Sequence, residues 1–396
     1  MLKVVKDLSE KILPGSTIGI IGGGVVSYQL VVSAKKMGYK VVVLSESKNC
    51  IAGKAADMHY ISDINDAVYL LKLSEISDVV TVVTEKLDKE TYRYLAEKTL
   101  FAQNMYSHSI IKNRYLQKQF LDAHSINITP YESAVVVSDI YDAAERIGYP
   151  CIIKQENRRH YNEDSSLVIH SAYEINKAVP LIQQGLCIVE SYIEVESEWE
   201  VTLCVNDEGY YTIFPFMRME KTNVNDLFYI QSFDEWDDLK KESTTQMELI
   251  TKVIASELGV SGTVKVTFFL TKEGNLYVNN ISIFPKEYDI LTMTSCNLSI
   301  FDMHIKSICN FMIPPVTQLS PTYLLPIGEE KKEDIANLMD KKNKWQFYIY
   351  EGFRYENIYA FAQVYPTNLQ ESLQEIKYTG LISDSVNVQD GQSEKR

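Results

Sequence analysis

Residues 16–27 read STIGIIGGGVVS and decide the fold of the first part of the chain. A short β-branched run ends in three glycines, and an apolar-periodic stretch follows until Gly38. The run KVVVLSES begins at Lys40 and has the composition of a second buried strand. Strand, glycine turn, helix and strand within about thirty residues form a parallel βαβ unit, so we predict an open doubly wound α/β domain. The segment SDVVTVVT at 77–84 supplies a further strand of this sheet.

The pattern changes further along the chain, where helices alternate with antiparallel strands. The segment 109–126 is amphipathic and predicts one helix, and DIYDAAERIGYPCIIKQE predicts a helix, a break and a strand that ends in Lys154. Residues 185–219 are rich in Val, Tyr, Trp and Phe and predict several antiparallel strands. A long helix at about 243–258 precedes a hairpin at 262–284 whose turn carries KEGN. The sequence therefore predicts α/β and α+β parts in one chain.

Composition and charge narrow the classes of function. The chain has 396 residues, of which 45% are hydrophobic and 23% charged, which is typical of globular domains. The net charge of −14 disfavours binding to nucleic acid or to anionic membranes, so we expect neither as a partner. No apolar run is long enough to cross a bilayer, and the N-terminus lacks the apolar core of a signal peptide. Six scattered cysteines without a CxxC pair predict reduced thiols and a cytoplasmic location.

Several segments occur in the order seen in the N5-carboxyaminoimidazole ribonucleotide synthetase (PurK) family of the ATP-grasp superfamily. They are TIGIIGGG with SAKKMGYKVVVL, then IGYPCIIK, IVESYIEVESE, GTVKVTFFLTKEGNLYVNNI and FDMHIKSICN. The chain resembles this family, whose members use ATP and bicarbonate to carboxylate aminoimidazole ribonucleotide. The resemblance implies a biotin-carboxylase-N-like parallel α/β domain at 1–105 and an ATP-grasp domain at 106–315 with a linker near residue 190. A small C-terminal β-rich domain at 316–385 and a polar tail at 386–396 would follow.

At the adenosine side of the site, the chain retains residue types that the family uses. Arg114 in KNRYLQK and Lys154 match family cations, and the resemblance implies that Lys154 reaches the α- and β-phosphates. Glu190 and Ile193 match the linker that hydrogen-bonds the adenine edge, and Glu198 matches the carboxylate that holds the ribose hydroxyls. Long cationic side chains suit the binding of phosphate, and hydrogen-bond acceptors suit the adenine amino group and the ribose hydroxyls. The resemblance implies ATP as a ligand, whereas the alternative makes Arg114 and Lys154 ordinary solvated or salt-bridged cations.

The phosphate loop and the metal ligands of the family are absent. Its glycine-rich loop corresponds to QENRRHYNEDSS at 155–166, which contains no glycine. In the family, a glutamate on each strand of the late hairpin holds Mg²⁺, but Thr267 and Asn280 stand at those positions. The magnesium site is therefore doubtful, and we assign no metal ligand and no catalytic residue. Glu287 and Asp289 follow and could be relocated ligands, but we expect them to be two solvated loop carboxylates.

The substrate side of the resemblance has also changed. The family segment APRPHNSGH corresponds to SIFPKEYDI, in which Pro285 is retained and Phe284 replaces an arginine. Ser27 replaces the last glycine of the family's GGGQLG turn, which lets the chain approach a phosphate closely, and VVTEK at 82–86 replaces YEFEN. Near the C-terminus, NIYAF at 357–361 replaces a basic segment. These changes remove charge that would bind the phosphate of a ribonucleotide.

Three functions remain open for this chain. The residues favour a PurK-like protein that has lost catalysis, binds a nucleotide or small molecule weakly, and has a binding or regulatory role. The alternatives are an ATP-grasp ligase of changed substrate and an active 5-(carboxyamino)imidazole ribonucleotide synthase. An NAD-binding enzyme is disfavoured because GGGVVS lacks the third glycine of GxGxxG, and Ser45 stands where an acidic residue would end the second strand. By resemblance to the family alone, we also expect a homodimer.

Overall fold

A computed structural model of the chain shows two compact units. Unit 1 comprises Met1–Met105, Trp199–Lys265 and Ser282–Arg396, and unit 2 comprises Tyr106–Glu198 and Val266–Ile281. The domain ranges expected from the sequence stay a prediction. The structure describes residues 10–157, 166–221, 227–231, 241–350, 358–366 and 368–382.

Two of the predicted segments fall largely outside these described residues: most of the glycine-free loop at 155–166, and the polar tail at 386–396. The structure therefore tests neither of them, and both stay predictions. Within the part of the chain that the structure describes, no helix combines the length and the apolar character that a membrane span requires.

Unit 1 begins with a five-stranded sheet in the order β3-β2-β1-β4-β5, in which every pair is parallel. Buried β-branched residues such as Ile20 and Val43 fill its interior, as expected for a parallel sheet covered on both faces. The predicted parallel α/β domain is thus confirmed, and the glycine turn follows β1. The strands are β1 (Thr17–Ile21), β2 (Lys40–Ser45), β3 (Met58–Ile61), β4 (Val79–Val82) and β5 (Leu100–Phe101), and the helices are α1 (Val25–Lys36), α2 (Ile51–Ala55), α3 (Ala67–Ile76) and α4 (Lys89–Ala96).

Unit 2 contains a four-stranded antiparallel sheet in the order β6-β9-β7-β8. Its core lies between this sheet and the helix α7, where Ile140, Ile153 and Val189 are buried. The strands are β6 (Tyr131–Ala134), β7 (Cys151–Gln155), β8 (Ser166–Ile169) and β9 (Cys187–Ser191), and the helices are α5 (Met105–Lys112), α6 (Arg114–Ala123), α7 (Val137–Ile147) and α8 (Val179–Ile182).

The prediction of one helix at 109–126 is wrong, because the chain forms α5 and α6 with a break at Asn113. Asn113 has extended backbone geometry, and its side-chain oxygen accepts a hydrogen bond from the Leu116 amide at 2.9 Å. The Arg114 amide donates to the Glu156 carbonyl oxygen at 2.8 Å. An asparagine at this position starts a new helix by capping it, and it thereby fixes where the side chains of α6 point.

A third sheet follows the order β15-β14-β10-β12-β13-β16-β18-β17, with β11 paired to β10. The predicted hairpin corresponds to β14 and β15. The strands of this third sheet are β10 (Ser197–Val205), β11 (Tyr211–Ile213), β12 (Met217–Lys221), β13 (Leu227–Gln231), β14 (Gly262–Leu270), β15 (Leu276–Ser282), β16 (Thr322–Gly328), β17 (Gln346–Ile349) and β18 (Ile358–Val364). The remaining helices are α9 (Lys241–Leu258), α10 (Thr292–Ser295), α11 (Ile300–Ile308), α12 (Ile335–Lys341) and α13 (Leu369–Lys377).

Candidate functional site

Charged side chains of unit 2 meet around one small pocket. Lys154 on β7 and Glu190 on β9 project from the same face of the sheet, because Ile152 pairs with Glu190 and side chains alternate along a strand. Helix α6 supplies residues at spacings of three and four, which lie on one helical face. The lining residues are Arg114, Gln117, Lys118, Leu121, Lys154, Glu190, Val278 and Asn279.

Glu190 is the centre of a buried ionic network. Its Oε2 accepts a hydrogen bond from Lys154 Nζ at 3.0 Å and lies 3.2 Å from Lys118 Nζ. Thr129 Oγ1 donates to the same oxygen at 3.0 Å and accepts from Lys118 Nζ at 3.1 Å. Burial alone would raise the pKa of Glu190, but the charges of Lys154 and Lys118 lower it to about 2. The carboxylate is therefore ionised at neutral pH, and it holds the two ammonium groups in place.

The described residues that line the pocket carry an excess of positive charge. Arg114, Lys118 and Lys154 line it together with one carboxylate, Glu190. Burial lowers the pKa of Lys118, because a single carboxylate shared with Lys154 compensates only part of its desolvation. An anion in the pocket would stabilise the charged form of these groups through charge-assisted hydrogen bonds. The arrangement therefore suits a phosphate or another small anion.

The predicted binding residues fall at different distances from this pocket. Arg114, Lys154 and Glu190 line it, and Glu198 on β10 contacts the lining residue Asn279, whose Nδ2 donates to Glu198 Oε1 at 3.2 Å. Ile193 lies in the irregular segment between β9 and β10 and is not a lining residue. The structure thus brings the two predicted cations and Glu190 together, while the nucleotide role of each residue stays a prediction.

Sequence reasoning missed Lys118 and Asn279. The signal for Lys118 was present, because it follows Arg114 by four residues and shares its helical face. Asn279 precedes Asn280 on β15, and sequence reasoning weighed only the latter. Its place at the pocket depends on the pairing of strands that are distant in the sequence, which a residue pattern does not show.

The residues at the expected metal positions are uncharged. Thr267 Oγ1 and Asn280 Oδ1 are buried, and neither atom has a hydrogen-bond partner among the described residues. Two neutral oxygens offer little attraction for Mg²⁺, which takes hard anionic ligands in octahedral geometry. Across the described ranges, no group of three or more His, Cys, Asp or Glu side chains is placed to hold a metal ion. The residues present at these positions do not fit a divalent cation.

The expectation that Glu287 and Asp289 are solvated loop carboxylates is wrong, because both lie in a 3-10 helix at Glu287–Leu291. Glu287 is only partly exposed, and burial raises its pKa. Asp289 is buried. Its side chain is 1% exposed and forms an ion pair with Lys265, while its Oδ2 accepts the Lys286 amide at 2.7 Å. Lys265 Nζ also lies 2.8 Å from Glu200 Oε1. Burial alone would lower the pKa of Lys265, but the two carboxylates raise it. Asp289 is therefore the counter-ion of a buried lysine within unit 1.

In unit 1, the described positions at which the chain differs from the phosphate-binding segments of the resembled family carry no charge. Ser27 is fully buried on α1, and Phe284 is 6% exposed. Ala360 and Phe361 on β18 are buried too, with 0% and 3% exposure. Buried side chains of this kind contribute to packing and offer no cation for a ligand phosphate.

Comparison with known proteins places these features in a family. Residues 119–301 match the ATP-grasp domain, and residues 15–112 match the ribonucleotide synthetase preATP-grasp domain. The N5-carboxyaminoimidazole ribonucleotide synthase of Bacillus subtilis (strain 168) is 29% identical over 348 residues, which is 87% of this chain and 89% of that protein. The corresponding protein of Staphylococcus epidermidis (strain ATCC 12228) is 29% identical over 342 residues, 86% of this chain and 89% of that protein.

Solved structures agree with this similarity. The N5-carboxyaminoimidazole synthetase of Staphylococcus aureus complexed with ADP has a TM-score of 0.87 at 25% identity, and the match covers 95% of this chain and 100% of that one. The fold and the matched domains define the chain as an ATP-grasp protein. Within that class, it belongs to the PurK family, and the relatives named above bear the name N5-carboxyaminoimidazole ribonucleotide synthase. The predicted resemblance is confirmed.

Proposed function

We propose that this chain is a PurK-family protein that binds an adenine nucleotide without a divalent metal and does not carboxylate aminoimidazole ribonucleotide. One observation carries the proposal: a cationic pocket is present, while Thr267 and Asn280 are neutral at the metal positions. The role left to such a protein is nucleotide-dependent binding or regulation. The ADP complex of the Staphylococcus aureus relative supports the choice of ligand.

Each residue would have a distinct task toward the nucleotide. Lys154, Lys118 and Arg114 would hold phosphate oxygens, and Glu190 would keep the two ammonium groups at the pocket wall in the absence of ligand. Glu198, already a hydrogen-bond acceptor at this pocket, would take the ribose hydroxyls. Ile193 would offer backbone groups to the adenine edge.

The proposed loss of catalysis follows from the lack of negative charge at the two metal positions. In phosphoryl transfer, metal ions neutralise charge that develops on the oxygens of the transferred group. With two neutral side chains at the metal positions, the cations that line the pocket among the described residues are Lys154, Lys118 and Arg114. The apolar residues Phe284 and Phe361 further argue against a second phosphorylated substrate. These features together support binding without turnover.

The remaining proposals rest on the sequence and the family. Free cysteines support a reducing compartment, and we propose a cytoplasmic location. We also propose a homodimer, and light scattering at micromolar concentration tests it, with a 45.3 kDa particle counting against it. The three-domain division at residues 105 and 315 is proposed as well, and limited proteolysis would test it.

An active synthase is the second candidate. It is favoured by similarity over 86–87% of the chain to two relatives that bear the synthase name. It requires a metal site formed by side chains other than Thr267 and Asn280. A carboxylation assay with ATP, bicarbonate and aminoimidazole ribonucleotide separates the two candidates, because only the second predicts product.

The substitution Lys154→Met should weaken nucleotide binding about tenfold, because it removes one phosphate-facing ammonium group and keeps most of the side-chain volume. Isothermal titration with ADP measures the effect. The matched control is Lys177→Met, which changes an exposed lysine of the same unit that pairs with Glu174. Equal affinities for the wild type and for Lys154→Met would show that the pocket does not hold the phosphates.

A further inference from the structure

A cysteine, a histidine and a serine meet in unit 1, and none of them lines the charged pocket. Cys50 Sγ lies 3.5 Å from His59 Nε2 and 3.1 Å from Ser45 Oγ. Ser45 Oγ lies 2.8 Å from the same His59 nitrogen. Ser45 ends β2, Cys50 immediately precedes α2, and His59 belongs to β3, so the cluster is at the carboxyl edge of the parallel sheet. Ligands of open α/β sheets bind along this edge.

Cys50 differs from the other cysteines of the chain. All six lie within the described residues and are free, but five are buried and Cys50 is partly exposed. Burial raises the pKa of Cys204 and of Cys309 to about 12, which keeps these thiols protonated and unreactive. Partial exposure gives a reagent access to Cys50 alone.

The neighbours of Cys50 suit a reactive thiol. Burial lowers the pKa of His59, so its imidazole is uncharged at neutral pH and can accept a proton. The Gly53 amide donates to Cys50 Sγ at 3.2 Å, which holds the sulfur in place beside the imidazole. A nucleophile within hydrogen-bond reach of a base is the arrangement that covalent chemistry requires. Neither Cys50 nor His59 lines the charged pocket of unit 2.

We propose that Cys50 and His59 form a nucleophilic site that reacts with low-molecular-weight disulfides. The Cys50 thiol passes its proton to His59 Nε2, and the sulfur attacks one sulfur of the disulfide. The disulfide bond breaks while a new bond forms between Cys50 and the attacked sulfur. The leaving thiolate takes the proton from the imidazolium, so Cys50 is oxidised to a mixed disulfide and one small thiol is released.

Such an adduct would lie beside the glycine turn that follows β1. A Cβ placed on Gly23 would come within 2.9 Å of Cys50 Cβ and 3.2 Å of Cys50 Sγ, so the turn already packs closely on this cysteine. A substituent on Cys50 must therefore extend toward solvent or displace the turn. The modification site therefore lies next to the edge of the sheet at which ligands of such folds bind.

The test treats the full chain with cystamine at pH 7 and follows adduct formation by intact mass and peptide mapping. We expect one adduct, on Cys50, formed at least about tenfold faster than on a free cysteine tripeptide. The Cys50→Ser variant should give no adduct. The His59→Gln variant should react about tenfold more slowly than the wild type, whereas His170→Gln, which changes an exposed histidine, should react at the wild-type rate.

The result that overturns the proposal is an adduct on another cysteine, or a Cys50 rate equal to that of the tripeptide. A His59→Gln rate equal to the wild-type rate would also overturn it. If His59→Gln does not fold, as judged by thermal melting, the ratio of the wild-type rate to the tripeptide rate decides the question by itself. This outcome is independent of whether the chain binds a nucleotide.

Discussion

The Glu190→Gln substitution should lower the free energy of unfolding by about 3–5 kcal/mol, because it removes a carboxylate that compensates two buried ammonium groups. Among the described residues, Lys118 and Lys154 would then have no opposite charge in direct contact. Thr129 would lose a charged acceptor as well. Urea unfolding followed by circular dichroism at neutral pH measures the change.

The matched control is Glu194→Gln, which changes an exposed carboxylate four residues further on. We expect it to alter the free energy of unfolding by less than about 0.5 kcal/mol. If Glu190→Gln costs no more than this control, the network around Glu190 does not stabilise the unit, and the account of the pocket would be wrong.

The same carboxylate should make stability depend on acid pH. The pKa of Glu190 in the folded protein is about 2, below its value of 4.5 in the unfolded chain. Its contribution is thus fully present above about pH 4.5 and is lost as the pH falls toward 2. The Glu190→Gln variant should show a shallower loss of stability over this window. Parallel acid unfolding curves for the two proteins would contradict the assignment.

Introducing carboxylates at both metal positions should create magnesium binding without activity. In the double variant Thr267→Glu with Asn280→Glu, the adjacent strands β14 and β15 would each carry one anionic ligand. We expect at least a tenfold gain, on the order of 1.4 kcal/mol, in affinity for ATP when Mg²⁺ is added. Without metal, repulsion and desolvation of the new carboxylates should lower the melting temperature. Calorimetry and thermal melting, each with and without Mg²⁺, measure both effects.

The control for that variant is Thr267→Gln with Asn280→Gln, which adds similar length without charge and should not respond to Mg²⁺. Neither double variant should carboxylate aminoimidazole ribonucleotide, because Ser27, Phe284 and Phe361 still provide no phosphate-binding charge. Product formed by the charged variant would show that the metal carboxylates alone were missing. Product formed by the unmodified chain would establish the active synthase instead.

Local patterns predicted most of the fold. The β-branched run before the glycine turn at 22–24, the apolar-periodic stretch after it and the strand from Lys40 form a βαβ unit, and all three lie where expected. The helix break at Asn113 was missed, because an asparagine within an amphipathic run is compatible with either a continuous helix or a cap. The amide partner at Leu116 shows which one forms.

The site was harder to predict because its charges are paired over long distances in the sequence. Arg114, Lys154 and Glu190 were identified by resemblance, but the role of Glu190 as counter-ion to Lys118 depends on the contact of α6 with the sheet. Asp289 was taken as a loop carboxylate, because its partner Lys265 is 24 residues away in the sequence. Sequence patterns report local periods, whereas ion pairs of this kind depend on tertiary packing.

The dependence of ATP binding on magnesium tests the central claim most directly. Isothermal titration of the unmodified chain would be run once with Mg²⁺ and once with a chelator. The account predicts weak binding whose dissociation constant differs by less than about threefold between the two conditions, since Thr267 and Asn280 provide no anionic ligand. Tight binding that is lost by about a hundredfold or more when Mg²⁺ is removed would contradict it.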